Sequence, residues 1–194
     1  GALEALFTVD EETGLTGAFA LESDMLKGKI LLNLDSEDWG VLTVGCAGGG
    51  NSEITLPIKK EKPADGFTSL SLKVSGLRGG HSGVDVHEQR GNAVKILSRL
   101  LWKLSNSFDM VIYTLQGGDK HNAIPREASA VIGVKKSDEA QAFLTEEAKI
   151  IAEEIKPIDP KFKLEVSSGS SEEMVFTKQS AQKILNLLHS LPHG

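Results

Sequence analysis

The regular alternation of residues on the two faces of a strand begins at residue 68. In the segment GFTSLSLKVSG, Leu70, Leu72 and Val74 alternate with polar residues, which predicts a half-buried strand. Two further strands are predicted by the segments DMVIYTLQGG and REASAVIGVK. The alternation over residues 161–166 predicts a fourth strand.

Helical spacing of apolar residues separates these strands. One helix is predicted over residues 91–106 and a second begins after Ser137. Their apolar stripes are formed by Val94, Leu97, Leu101 and Leu104 in the first helix and by Leu144, Ala148, Ile151 and Ile155 in the second. The element order β-α-β-β-α-β predicts a ferredoxin-like domain, and a last helix is predicted over residues 179–190.

The first 47 residues have a different pattern. Continuous apolar runs over residues 3–9, 30–34 and 41–44 predict strands buried on both faces, as in parallel sheets. Strands at this spacing predict part of an α/β layer. The run GGGNS then marks a boundary. We therefore expect an α/β segment over residues 1–47 and a ferredoxin-like domain over residues 48–190.

Composition and charge argue against several classes of binding partner. The formal net charge is −6, from 21 basic and 27 acidic residues, which argues against a nucleic-acid surface or a polybasic membrane anchor. No apolar run has the length of a membrane span. The single cysteine, Cys46, cannot form an internal disulfide and fits a reducing cytoplasm.

Two nucleotide-binding interpretations have little support. The glycine run in GCAGGG matches neither phosphate-binding loop pattern and precedes no helical pattern, which favours a simple hinge. RNA binding through a ferredoxin-like sheet would require basic and aromatic surface residues, but the chain has one tyrosine and two tryptophans.

Acidic residues follow two of the predicted strands. Asp10, Glu11 and Glu12 end the first, and the cluster DSED begins at Asp35 after the second. Ligands of open α/β sheets bind at the carboxyl ends of strands, where these carboxylates could bind a divalent cation and activate water. The alternative is two solvated acidic loops. Neither cluster matches a calcium-binding EF-hand.

Two polar loops of the ferredoxin-like domain contain further candidates. The first, GLRGGHSGVDVHEQRGNA, places His81 among five glycines, where a histidine is accessible; the alternative is a polar loop in which Asn92 caps a helix. The second, GGDKHNAIPREA, contains Asn122 and Arg126, and Arg126 could bind a substrate carboxylate. His189 and His193 are interpreted as structural or solvent-exposed.

In this order, the segments LFTVDEETG, ILLNLDSED, GLRGGHSGVDVHEQRGNA and HNAIPREA resemble the aminoacyl-histidine dipeptidases, the Xaa-His dipeptidases of the M20 metallopeptidase clan. The resemblance covers essentially the whole chain. It implies a cytoplasmic enzyme whose subunit combines a catalytic domain that binds two zinc ions with a ferredoxin-like lid that dimerises. The substrate would be a dipeptide.

The resemblance also implies roles for the acidic residues. Glu11 matches the general base that activates water, Glu12 matches a ligand of one zinc ion, and Asp35 matches a ligand of the other. In the lid, His81 matches the histidine that reaches the partner subunit's active site and stabilises the oxyanion. Asn122 matches a substrate-binding asparagine, and Arg126 would lie near the substrate carboxylate.

The resemblance also implies further metal ligands that this sequence does not contain. We therefore expect an internal fragment, with residues 191–194 returning toward the catalytic domain, that lacks bound zinc and is inactive alone. The alternative is a non-catalytic ferredoxin-like module for dimerisation or small-molecule binding. The TVDEETG segment separates the two hypotheses, since a pure lid domain does not need it.

Overall fold

The computed structural model describes residues 2–35, 39–45, 48–170 and 172–193. The chain divides into two compact units, Gly1–Ser52 and Glu53–Gly194. Among the helices of the described residues, none combines the length and the apolar character that crossing a bilayer requires.

The first unit contains two short helices, α1 (Glu11–Gly14) and α2 (Thr16–Phe19). Asp10 and Leu15 flank α1 with left-handed backbone angles, φ 56° and 57°. Such angles are uncommon for residues other than glycine. The Thr16 hydroxyl donates a hydrogen bond to Asp10 Oδ2 at 2.8 Å, which ties the two sides of α1 together.

The three strands predicted in the first 47 residues are not found, and this prediction was wrong. No described residue before Lys60 belongs to a strand. Large apolar side chains of the predicted strands are exposed, including Phe7 at 91% and Ile30 at 85%. A strand buried on both faces needs hydrogen-bonded neighbours and covering layers, and the described residues of this unit provide neither.

The second unit contains all eight strands of the described residues and three long helices. The strands are β1 (Lys60–Glu61), β2 (Thr68–Ser75), β3 (Gly80–His81), β4 (Met110–Gly117), β5 (Ala123–Ile124), β6 (Ala128–Val134), β7 (Lys163–Ser168) and β8 (Val175–Phe176). The helices are α3 (Ala93–Ser107), α4 (Ser137–Ile155) and α5 (Lys178–Ser190), with a single 3₁₀ turn at Val86–Glu88.

The main sheet has four strands in the order β4-β6-β2-β7, and every neighbouring pair is antiparallel. With α3 between β2 and β4 and α4 between β6 and β7, the chain follows the ferredoxin-like order. The predicted fold class is thus confirmed, with element ends within a few residues of those expected. The small pairs β1-β8 and β3-β5 were not predicted.

The core lies between one face of this sheet and the helices. On β2, Leu72 and Val74 are fully buried, as the alternation predicted. On α3, Leu97, Leu101 and Leu104 are also fully buried, so the predicted stripe faces the sheet. Full burial of a leucine side chain contributes about 2 kcal/mol, so these contacts fix how α3 lies on the sheet.

Polar contacts join the outer sides of α3 and α4. Arg99 forms a two-pronged pair with Glu154, with N–O distances of 2.5 and 2.7 Å, and Lys103 pairs with Glu147 at 2.5 Å. The hydrogen bond from Arg99 lowers the pKa of the Glu154 carboxyl. These pairs align the two helices along their length.

Helix α5 packs against α3 and is attached to it at its C-terminal end. Lys95 Nζ donates hydrogen bonds to the carbonyls of Leu188 and His189 at 2.9 and 2.8 Å. The His189 ring stacks on Trp102, with centroids 4.6 Å apart. A cation at a helix C-terminus satisfies free carbonyls. His189 therefore has the structural position that the sequence suggested.

Candidate functional site

Pairing of β3 with β5 brings the two polar loops together. His81 lies opposite Ala123, and Gly80 lies opposite Ile124. Just beyond this pair, the Ser82 amide donates a hydrogen bond to the Asn122 carbonyl at 2.8 Å. His81 and Asn122, which are 41 residues apart in the sequence, are therefore neighbours.

Arg126 lies at the same place because its side chain crosses the backbone at Gly79. A β-carbon on Gly79 would be 2.2 Å from Arg126 Cγ, and Gly79 has a left-handed φ of 63°. Only glycine meets both conditions without strain. The three predicted lid residues, His81, Asn122 and Arg126, thus belong to one cluster.

An open groove of about 990 Å³ borders this cluster. Its basic side chains are Lys73, Arg78, Lys120 and Arg126, and its acidic side chains are Asp119 and Glu127. Lys73 and Glu127 pair with each other at 3.1 Å. The excess of cations gives the groove a positive character that suits an anionic group such as a carboxylate.

The His81 ring is held by its own loop. Its Nδ1 accepts hydrogen bonds from the backbone amides of Gly83 and Val84, both at 3.1 Å. A β-carbon on Gly83 would lie 3.3 Å from the His81 ring, so a side chain there would press against it. The ring is therefore oriented by backbone groups, while the residue remains exposed.

Asp85 closes the turn that contains these amides. Its Oδ2 accepts a hydrogen bond from the His81 amide at 2.8 Å, and its own amide donates to the His81 carbonyl at 3.0 Å. The two bonds fix both ends of the five-residue turn. The position of the Gly83 and Val84 amides therefore depends on Asp85.

Arg90 lies behind this turn. Its Nη1 donates hydrogen bonds to the Gly79 carbonyl at 2.6 Å and to Asp85 Oδ2 at 2.9 Å, and its Nε donates to Glu88 Oε2 at 2.9 Å. The Arg90 side chain is 13% exposed. The hydrogen bond with Glu88 raises the pKa of Arg90, although burial opposes it. Arg90 thus joins three parts of the loop.

Gly80 makes room for this pair. A β-carbon on Gly80 would lie 2.0 Å from Arg90 Nη1 and 2.4 Å from Asp85 Oδ2, and the residue has a φ of 149°. Any other residue at this position would collide with the guanidinium and the carboxylate. The two consecutive glycines of RGGHSG are therefore required for different contacts. Gly79 leaves space for the side chain of Arg126, and Gly80 leaves space for the side chain of Arg90.

Asp159 fastens the two ends of the loop. Its carboxylate is buried, with the residue only 1% exposed, and accepts hydrogen bonds from the Arg78 amide at 2.7 Å and the Gly91 amide at 2.6 Å. Charge-assisted bonds to backbone amides are about twice as strong as neutral ones. One side chain, just before β7, thus closes a loop of fourteen residues.

The helix that follows the loop begins as predicted. Asn92 Oδ1 accepts hydrogen bonds from the amides of Val94 and Lys95, so it caps α3. His193 lies beside this cap, with Nδ1 3.3 Å from Asn92 Nδ2 and Nε2 3.1 Å from the Arg90 carbonyl. Asn92 capping does not exclude a functional His81, because the two residues occupy different parts of the loop.

The predicted acidic site residues lie in the first unit. Glu11 and Glu12 form the first turn of α1 and are exposed. Asp35 is also exposed, and its amide donates to Asn33 Oδ1 at 2.9 Å. The rest of the DSED cluster and Cys46 lie outside the described residues.

The described residues do not supply a metal centre. In the ranges that the structure covers, no group of three or more His, Cys, Asp or Glu side chains could bind a metal ion. Zinc in proteins takes three or four protein ligands. Glu12 and Asp35 would therefore need further ligands to form a zinc site.

Sequence patterns did not identify Asp85, Arg90 and Asp159 as site residues. Asp85 follows His81 by four residues, a spacing that allows a side-chain turn contact. Asp159 had no local signal, because its partners are 81 and 68 residues away in the sequence.

Residues 72–162 match the sequence family described as the peptidase dimerisation domain, M20_dimer. The whole chain is 35% identical over 196 aligned residues to the cytosol non-specific dipeptidase of Escherichia coli (strain K12). Among solved structures, the aminoacylhistidine dipeptidase from Vibrio alginolyticus is 30% identical, with a TM-score of 0.78 over 96% of this chain. The chain spans about two fifths of each relative, 40% of the first and 39% of the second.

Replacing Asp159 by alanine tests the closure of the His81 loop. We expect Asp159→Ala to lower the free energy of unfolding by about 3 kcal/mol, because the buried Gly91 amide and the part-buried Arg78 amide lose a charged acceptor. Amide exchange at Arg78 and Gly91 should accelerate in the variant. The exposed Asp65→Ala serves as control and should change stability by less than about 0.5 kcal/mol. Unchanged protection of both amides would contradict the closure.

Proposed function

We propose that this chain is part of a metal-dependent dipeptidase, because residues 72–162 match the family described as the M20 peptidase dimerisation domain. In this proposal, residues 1–47 contribute to the catalytic domain, and residues 48–190 form a lid that pairs two subunits. The observation that supports it most directly is the grouping of His81, Asn122 and Arg126 beside a cationic groove.

We propose that Glu11 is the general base and that Glu12 and Asp35 are metal ligands. The supporting facts are their place in the segments LFTVDEETG and ILLNLDSED and the 35% identity to a dipeptidase across the whole chain. Two zinc ions, when bound, would supply an acidified water and polarise the peptide carbonyl. The described residues lack a full ligand set, so other segments of the enzyme would complete it.

The three lid residues would bind the substrate. Arg126 has a planar guanidinium suited to the terminal carboxylate of a dipeptide, and its stem is held against Gly79. Asn122 lies next to His81 and offers an amide to the substrate backbone. His81 would donate a hydrogen bond to the developing oxyanion in the active site of the partner subunit.

The lid would form the dimer through the side where β7 meets α4. Among the described residues, strand β7 pairs with β2 alone and ends the main sheet, whereas β8 lies beside the opposite edge strand, β4. A shallow depression between α4 and β7 is lined by Ala148, Ala152, Phe162 and Leu164, among others. An unpaired edge beside apolar side chains suits pairing with a second copy about a two-fold axis.

A second candidate is a non-catalytic dimerisation or small-molecule-binding module. Its support is that the second unit contains a compact core and the groove within one domain. The catalytic proposal accounts in addition for the acids at residues 10–12. The dipeptidase relative is named a cytosol protein, so we propose a cytoplasmic location.

Glu11→Gln in the complete enzyme tests the catalytic assignment. The substitution keeps the shape of the side chain but removes its ability to accept a proton, so we expect kcat to fall by about 10²- to 10⁴-fold. Dipeptide turnover under saturating substrate is the measurement. Glu22→Gln, an exposed acid of the same unit, should leave kcat unchanged. Full activity of the Glu11→Gln variant would contradict the assignment of Glu11 as the general base.

Ala152→Arg in the present chain tests the dimer surface. The arginine would bury an unpaired charge in the depression beside β7, so we expect dimerisation to weaken by about tenfold or more. Sedimentation equilibrium measures the dissociation constant. Ile150→Arg is the matched control, because it lies about 160° away around the same helix. Equal dissociation constants for the two variants would exclude this surface.

A further inference from the structure

His81 is held in one tautomer by its loop. Its Nδ1 lies 3.1 Å from both the Gly83 and the Val84 amide nitrogen, and each amide donates a hydrogen bond to it. A nitrogen that accepts hydrogen bonds cannot also hold the ring proton. In the neutral imidazole the proton must therefore be on Nε2.

This tautomer is the one that oxyanion stabilisation requires. Nε2 is at the far side of the ring from the Gly83 and Val84 amides, and His81 is exposed at the rim of the loop. A neutral histidine can donate only from its protonated nitrogen, so Nε2–H is the donor available to a ligand outside the loop. The opposite tautomer would present a lone pair and would repel a developing negative charge.

The amides that select the tautomer are positioned by a half-buried ion pair between Asp85 and Arg90. Asp85 Oδ2 accepts hydrogen bonds from the His81 amide at 2.8 Å and from Arg90 Nη1 at 2.9 Å. Arg90 also holds the Gly79 carbonyl and Glu88, so it anchors the turn to both sides of the loop. The side chains of Asp85 and Arg90 are 22% and 13% exposed, which limits competition from water.

We propose that Asp85 and Arg90 are positioning residues that fix His81 as an Nε2–H hydrogen-bond donor. They act through the turn over residues 81–85, and neither needs to contact the substrate. The inference rests on the proposed function only for the role of the Nε2–H group in stabilising an oxyanion. The tautomer of His81 follows from the contacts within this chain. The arrangement also accounts for two glycines near the histidine, because a side chain at position 80 would collide with the Asp85–Arg90 pair and one at position 83 would press against the His81 ring.

Nitrogen NMR of the ring tests this proposal without requiring activity. Long-range ¹H–¹⁵N spectra of the histidine-labelled chain at about pH 8.5, two units above the usual histidine pKa, distinguish the two tautomers. We expect His81 to show one N–H-type nitrogen, Nε2, and one acceptor-type nitrogen, Nδ1. The exposed His87 provides an unrestrained reference in the same loop. A His81 spectrum like that of His87, or a proton on Nδ1, would overturn the proposal.

Variants at Asp85 test the positioning step. In Asp85→Ala we expect the two His81 ring signals to move toward each other as both tautomers become populated. Asp85→Asn keeps an oxygen that can accept from the His81 amide and should restore most of the wild-type pattern. Unchanged His81 signals in Asp85→Ala, with the sheet amide signals retained, would overturn the role of Asp85.

Arg90→Lys is a second variant that tests the positioning step. It can be measured even if Asp85→Ala fails to fold. Lysine keeps the charge but lacks the planar fork that joins the Gly79 carbonyl, Asp85 and Glu88. We expect partial averaging of the His81 signals, and no change would overturn the role of Arg90. If the tautomer behaves as expected but His81→Ala leaves turnover of the complete enzyme intact, the positioning stands and the proposed function of His81 fails.

Discussion

The second unit depends on β2 being paired on both sides. Its backbone pairs with β6 over residues 68–74 and with β7 over residues 70–75, while Leu72 and Val74 pack under the helices. Because β2 is central, the loop that leaves it at Gly76 starts from a rigid point. The other end of that loop enters α3, whose apolar face is buried on the same sheet. The His81 loop is therefore suspended between two rigid elements, and Asp159, just before β7, fastens both of its ends.

A series of contacts in and around this loop positions His81 and Asn122. The glycines at positions 79 and 80 allow Arg126 and Arg90 to approach the backbone. Arg90 and Asp85 then shape the turn, the turn amides orient the His81 ring, and β3-β5 pairing places Asn122 beside it. The result is a prearranged polar cluster next to a positive groove. Such prearrangement is what stabilisation of a developing charge needs, because no reorganisation is required when the charge appears.

The sequence was sufficient for the features that depend on local periodicity. The alternation around Leu72, the stripe that includes Leu97 and the cap at Asn92 all have the predicted positions, because burial and capping act over a few residues. The sequence was insufficient for features that depend on contacts between residues far apart in the chain. Nothing near Asp159 indicates that it accepts bonds from two amides at least 68 residues away. The apolar run at residues 3–9 suggested a buried strand, yet Phe7 is exposed, because periodicity does not reveal whether a strand has partners.

The most direct test of the account is subunit complementation in the complete enzyme. Glu11→Ala and His81→Ala subunits would each be inactive alone, and they would be mixed, dissociated and reassociated. If His81 acts in the partner's active site, a mixed dimer has one intact site, so we expect about one quarter of wild-type turnover after random pairing into two-fold dimers. Activity no higher than that of the separate variants would contradict the account, because it would mean that Glu11 and His81 serve the same subunit's site.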